Sequence, residues 1–138
     1  MMEKCVSLLT ILLLSGSAPA SMTGSWSRDS VGGHVSVGFQ PLSSNALIPP
    51  AFIPTNAKAT RIHWHISLLS SPLAGLKIQL CHSQGCEQLH GLRGEFTPQS
   101  PWPANDTYYF VYTVNTRGQL RPPLQVIRNE LTINYKII

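Results

Sequence analysis

Residues 76 to 91 read LKIQLCHSQGCEQLHG, and the alternation in this stretch decides the fold class. Leu76, Ile78 and Leu80 fall on one side of an extended chain and Lys77, Gln79 and Cys81 on the other, which is the period of a half-buried strand. His82 to Gly85 supply a polar reversal, with Gly85 able to take the positive φ that such loops use, and a return strand begins at Cys86. If Cys81 and Cys86 are directly opposed, their Cα atoms stand about 4.5 to 5.5 Å apart, a distance that a disulfide spans. Parity then places the bridge on the polar side with Lys77, Gln79, Gln88 and His90, while Leu76, Ile78, Leu80 and Leu89 serve the core.

The same period recurs on both sides of this hairpin. In RIHWHISLL, residues 61 to 69, Ile62, Trp64, Ile66 and Leu68 face one way and Arg61, His63, His65 and Ser67 the other. TYYFVYTVN, residues 107 to 115, puts Tyr108, Phe110, Tyr112 and Val114 on a shared face and has the aromatic and β-branched content of a strand. LTINYKI at the C-terminal end alternates Leu131, Ile133, Tyr135 and Ile137 with polar residues. Near the N-terminal end, Val35, Val37 and Phe39 alternate with Ser36 and Gly38, and Gly32 and Gly33 separate them from Trp26 as the turn of a first hairpin would.

Prolines punctuate the rest. Residues 41 to 57 form an extended, ordered loop or edge segment, since Leu47, Ile48, Phe52 and Ile53 are too apolar for a flexible linker. Residues 97 to 106 form a loop in which Trp102 covers the edge of the core. Thr116 to Gly118 can turn, and Pro122 with Pro123 marks a break before a short strand from Leu124 to Arg128. No stretch carries the i, i+3, i+4 repeat of a long helix. The expected fold is all-β, a single-domain antiparallel sandwich of about seven or eight short strands, with a small closed barrel as the alternative.

Residues 1 to 20 read as a cleaved signal peptide. Lys4 provides the positive region, Cys5 to Leu14 the apolar run, and Ala18, Pro19 and Ala20 the cleavage signal, so residues 21 to 138 form the exported domain. The apolar run is far short of the roughly 20 residues that span a bilayer. Export without stable membrane insertion follows. Removing Lys4 and Glu3 with the leader leaves nine basic and five acidic residues, so the formal charge stays at +4. These charges are scattered singly, unlike a nucleic-acid stripe.

Export leaves Cys81 and Cys86 as an even pair in a compartment that permits disulfides. A zinc site from Cys81, His82, Cys86 and His90 has the ligand types but no standard spacing, so a structural disulfide is favoured. His63 and His65 share a strand face and are weak metal candidates without a third ligand placed by spacing. Asp29, Glu87, Glu95, Asp106 and Glu130 pair at no informative spacing, and G-x-S-x-G, phosphate-loop and H-E-x-x-H motifs are absent from the sequence. The chain is therefore read as a non-enzyme without a cofactor. Asn105 to Thr107 match N-x-T, which matters only in a glycosylating pathway. Arg117, Arg121 and Arg128 bracket the last turn and strand. They read either as solvated loop charges or, with neighbouring apolar residues and Trp102, as a partner-binding surface.

GLKIQLCHSQGCEQL, RGQLRPPLQVIRNELTINYK and the early GSWS segment together resemble the flagellar protein FlhE family of enteric and related bacteria, in order over residues 24 to 136. The resemblance implies a periplasmic accessory protein of flagellar biogenesis, a chaperone or plug-like regulator of the type III export apparatus that limits proton leakage. Its implied partner is a flagellar export or basal-body protein, with self-association through edge strands as a further route. Trp26, Trp64, Cys81, Cys86, Arg117, Asn129 and Tyr135 match the family pattern, most of them in structural roles, and His63 and His65 do not belong to it. The alternative function is a generic periplasmic glycan- or protein-binding β module, using Trp102, Tyr108 or Tyr109 on a sheet face.

Overall fold

Tyr108, Phe110, Tyr112 and Val114 are buried to within 1% of full burial, so the strand richest in aromatic residues forms the floor of the core. The computed structural model describes residues 22–137. The leader and its cleavage site lie outside the described residues. Two four-stranded antiparallel sheets face each other, and no strand joins them into a closed barrel. One has the order β1-β8-β3-β6, formed by β1 (Thr23–Val37), β8 (Gln119–Ile137), β3 (Ala57–Leu68) and β6 (Arg93–Phe96). The other has the order β2-β7-β4-β5, formed by β2 (Leu42–Ser43), β7 (Tyr109–Val114), β4 (Leu76–His82) and β5 (Gly85–Leu89).

The core lies between the sheets. Trp26, Ile62, Ile66, Leu131 and Ile133 from the first sheet meet Leu80, Phe110, Tyr112 and Val114 from the second. Alternation explains this directly, because residues two apart on a strand project from the same face. Trp26 is anchored as well as buried: its indole N–H donates to the Ala104 carbonyl at 3.0 Å, and its ring lies 6.3 Å from that of Tyr108. Across the gap Tyr112 donates its hydroxyl to Asn129 Oδ1, and Asn129 Nδ2 donates to Ser30 Oγ at 3.3 Å. A fully buried amide is thereby satisfied on both ends, as burial of a polar group requires.

The cysteine hairpin has the expected register. Cys81 lies opposite Cys86, Gln79 opposite Gln88 and Ile78 opposite Leu89, with a Cα–Cα distance of 4.0 Å at the disulfide. Its loop is shorter than expected. His82 pairs with Gly85, so only Ser83 and Gln84 turn the chain. The strand continues through His82 because His82 follows Leu76, Ile78 and Leu80 in parity and is itself buried. Cys86 is exposed, whereas Cys81 is 1% exposed despite belonging to the polar face.

Two expected breaks are absent. Gly32 and Gly33 do not turn the chain, since β1 runs unbroken from Thr23 to Val37 along β8. The glycines serve closeness instead: a Cβ on Gly32 would lie 2.4 Å from the Val126 side chain. Pro122 and Pro123 likewise leave β8 continuous over 19 residues. They fall where the β1–β8 register jumps from Val35↔Leu124 to Val37↔Gln119, an irregular interval that needs no regular amide ladder from them. The same irregularity spoils the alternation after Val35, leaving Val37 and Phe39 exposed where an apolar face was expected. In the segment 41 to 57, Leu47 and Ile53 are buried as anchors while Ile48 and Phe52 are exposed. Strand β6 carries no alternating signal in the sequence and is a further addition.

Candidate functional site

Side chains with chemistry collect in three places. The first is the outer face of β1-β8-β3-β6, where parity sends Arg61, His63, His65, Arg128 and Glu130 away from the core. His63 Nδ1 meets Glu95 at 3.1 Å while Arg61 bonds the other oxygen of that carboxylate at 2.5 Å. His65 Nδ1 meets Glu130 at 3.1 Å, and its Nε2 lies 3.2 Å from Arg93 Nη2. Arginine can only donate, so Nε2 accepts and the His65 proton sits on Nδ1, toward Glu130. Asn134 Nδ2 stands 3.4 Å from His63 Nε2. Arg128 continues the ladder to Asp29 at 2.6 Å. Both imidazoles are thus engaged by protein groups at each nitrogen, and among the described residues no group of three or more metal-ligating side chains occurs. These exposed pairs tune cross-strand pairing modestly.

The second place lies beneath the cysteine hairpin. His82 packs its ring 4.3 Å from Trp102 and 5.5 Å from Tyr108, with Nδ1 at 3.3 Å from Asp106 Oδ2. The same oxygen accepts from the Ser83 hydroxyl at 2.6 Å and the Ser83 amide at 3.2 Å, and Asp106 Oδ1 accepts from the Thr107 amide at 2.7 Å. Burial opposes ionisation of this carboxyl, but the four hydrogen bonds, from Ser83 twice, Thr107 and His82, outweigh it and hold Asp106 below its ordinary value. Burial, with the Asp106 charge nearby, pushes the Tyr108 hydroxyl the other way. Serine, histidine and aspartate are adjacent here, yet Ser83 donates to Asp106 and not to His82, so they do not form the serine–imidazole–carboxylate relay of a hydrolytic triad. The arrangement fastens the hairpin to the loop before β7.

Trp102 belongs to this aromatic cluster. It is 9% exposed and Tyr108 is wholly buried, 6.0 Å from it ring to ring. A sugar-stacking platform on those two rings is thereby excluded, since their faces are filled by His82, Phe96 and each other. Trp102 covers the core edge as its sequence setting suggests. The sequence alone presents His82 as a loop residue and zinc candidate, and Asp106 as a lone carboxylate within N-x-T, and does not join the two. The available signal was the inward parity of His82 after Leu80.

The third place is the end of the sandwich where three connections meet. Gly38 donates its amide to Gly118 O at 2.8 Å, Phe39 to Val114 O at 2.9 Å and Asn115 to Gly75 O at 2.8 Å. Arg117 and Arg121 are exposed here, with Arg121 Nη2 donating to Gln119 Oε1 at 2.9 Å. A cleft of about 300 Å³ opens here, lined by Leu73, Val114, Leu120, Arg121 and Pro122 among others. Arg121 thus lines the cleft and Arg117 lies in the adjoining turn, while Arg128 joins the sheet-face ladder and Trp102 the buried cluster.

The remaining matched positions are structural: Trp64 donates its indole N–H to Gly91 O at 3.1 Å, and Tyr135 fills the space above Gly24. The family model for the flagellar protein FlhE matches residues 35–136. The chain belongs to the FlhE family. Flagellar protein FlhE of Yersinia enterocolitica is 33% identical over 132 residues, covering 95% of this chain and 93% of that protein. Its counterpart in Escherichia coli strain K12 is 32% identical over 129 residues, covering 94% and 98%. A crystal structure of FlhE superposes with a TM-score of 0.74 at 29% identity, covering 82% of this chain and 96% of that one. FlhE membership assigns a flagellar accessory role and the two-sheet fold together. Among the described residues no helix is long and apolar enough to cross a membrane.

Proposed function

We propose that this FlhE-family domain works in the periplasm as a non-enzymatic binding module of flagellar biogenesis, a chaperone or plug-like regulator of the type III export apparatus that limits proton leakage. The observation that carries the binding reading is the edge of β1. This strand is 15 residues long and, among the described residues, pairs only with β8, so its other side offers a row of backbone donors and acceptors. An extended segment of a flagellar export or basal-body protein can add there as a further strand, with main-chain hydrogen bonds supplying affinity. The leader and the disulfide support an oxidising, exported location.

Deleting the gene and following cytoplasmic pH while flagella assemble tests this reading. A fall in cytoplasmic pH or misdirected assembly, reversed by the wild-type gene, is the expected result. Unchanged pH with normal flagella would remove the regulatory role.

A further inference from the structure

The six arginines of the chain divide sharply by partner. Arg61 bonds Glu95, Arg128 bonds Asp29, Arg93 meets His65 and Arg28 donates to the Ile48 carbonyl. Arg117 and Arg121 have no carboxylate within reach among the described residues, and Arg121 has only the neutral Gln119. The connections that surround them, residues 38–41, 69–75 and 115–118, contain no aspartate or glutamate. Both guanidinium groups therefore stand un-neutralised at this end of the sandwich, with Arg121 lining a largely apolar cleft and Arg117 in the adjoining turn. An arginine beside apolar surface is the composition of a recognition site, because the planar fork matches a carboxylate while the cleft takes an apolar side chain.

The site is also held in place. Backbone hydrogen bonds tie the β1–β2 connection to the β7–β8 turn at two points and the β3–β4 connection to Asn115 at a third. Gly38 fits so closely against that turn that a Cβ there would lie 1.4 Å from Thr116 O. A surface fixed by backbone contacts loses little entropy on binding.

From this end of the sandwich we infer a docking site for an extended acidic segment of a partner protein, in which carboxylates along the segment engage Arg121 and Arg117 and an adjacent apolar side chain enters the cleft between Leu73 and Leu120. The inference deepens the proposed function and rests on it. A second copy of this chain is a poor occupant, since Asp29, Glu95, Asp106 and Glu130 are all held by their own cations, hydroxyls or amides. Among the side-chain carboxylates of the described residues, only Glu87 on edge strand β5 is left to offer.

Two measurements test the site. The mature protein, labelled for amide NMR, is titrated at low salt with a blocked Leu-Asp-Leu-Glu-Leu peptide and with its Leu-Asn-Leu-Gln-Leu counterpart. Shifts confined to residues 73–75 and 114–122 with the acidic peptide, weakened roughly tenfold in R117Q/R121Q, support the site. Equal binding of the neutral peptide, or shifts centred on Arg61 and Arg93, overturn it. So does binding to phosphatidylglycerol vesicles that depends on Arg117 and Arg121 without any response to the peptide, which would make the occupant a lipid surface. K58Q/K136Q removes the same charge at the far end of β8, where Lys58 lies opposite Lys136, and is expected to bind normally. In the deletion strain, R117Q/R121Q is expected to fail where K58Q/K136Q restores cytoplasmic pH. Full rescue by R117Q/R121Q would overturn the site and leave the proposed function standing; a deletion without effect would remove that function itself.

Discussion

Tyr112, on the central strand of one sheet, gives its hydroxyl proton to Asn129 on the central strand of the other. Both side chains are fully buried, and Asn129 passes the connection on to Ser30 of β1. This chain of bonds fixes how the sheets face each other in a core otherwise made of interchangeable apolar contacts. Burial pushes the Tyr112 hydroxyl well above its ordinary pKa, so it remains a donor at any physiological pH.

Tyr112→Phe removes that donor and strands the Asn129 oxygen, a loss expected to cost about 1 to 3 kcal/mol by denaturant titration. Asn129→Leu strands the tyrosine hydroxyl at a similar cost. The double substitution is expected to cost less than the sum of the two, because each single change already forfeits the shared bond. Strict additivity would show that the pair does not couple the sheets.

The disulfide closes a loop of six residues between directly opposed strand positions. In the chain-entropy account such a closure is worth about 2 kcal/mol. Cys81→Ser with Cys86→Ser is therefore expected to lower stability by roughly that amount and to leave a folded domain at room temperature. Amide exchange is expected to quicken along β4 and β5 and to change little in β8. Global unfolding of the double variant would mean that the hairpin carries far more of the fold than its local position allows.

Asp106 provides a pH test with a definite sign. Its folded carboxyl lies below the ordinary value because Ser83, Thr107 and His82 hydrogen bonds overcome burial. The stabilisation is therefore complete above the unfolded pKa of about 3.9 and is lost as pH falls through that value toward the folded one. The stability gap between wild type and Asp106→Asn is expected to shrink as pH falls below about 4. A gap that stays constant into strong acid would show that the charge of Asp106 contributes nothing.

The sequence-to-structure match is uneven for physical reasons. β3 and β7 were legible because each has one wet and one dry face, so alternation reports burial directly. β1 and β8 were read as broken because glycine and proline are local signals, and here the long pairing between the two strands overrides them. β6 was invisible because RGEF offers only Phe96 to the core. At the candidate site, Arg117 and Arg121 are close in sequence and both fall at one end of the sandwich. Arg128 parts from them because β8 runs on along the sheet and carries it opposite Val31 and Ser67. His82 and Asp106, 24 residues apart, have no spacing that could announce their contact.

Gly38 links stability to the proposed docking end. Its backbone lies directly on the Thr116 carbonyl, so the methyl group of Gly38→Ala would collide with main chain, not with a side chain that could turn away. The connection must move, and the bonds Gly38 N to Gly118 O and Phe39 N to Val114 O loosen with it. The expected cost is about 1 to 3 kcal/mol, the range for overpacking a tight contact. Gly118→Ala is the informative comparison: no atom lies within 4 Å of its Cβ position, so its cost comes from the φ of +86° alone. Amide shifts in Gly38→Ala are expected to spread across Phe39, Val114 and residues 115–118, whereas those in Gly118→Ala stay within the turn. Affinity for the acidic peptide is expected to fall in Gly38→Ala even though both arginines remain. Unchanged affinity would show that the guanidinium groups act without the clamp, and that preorganisation contributes nothing to the site.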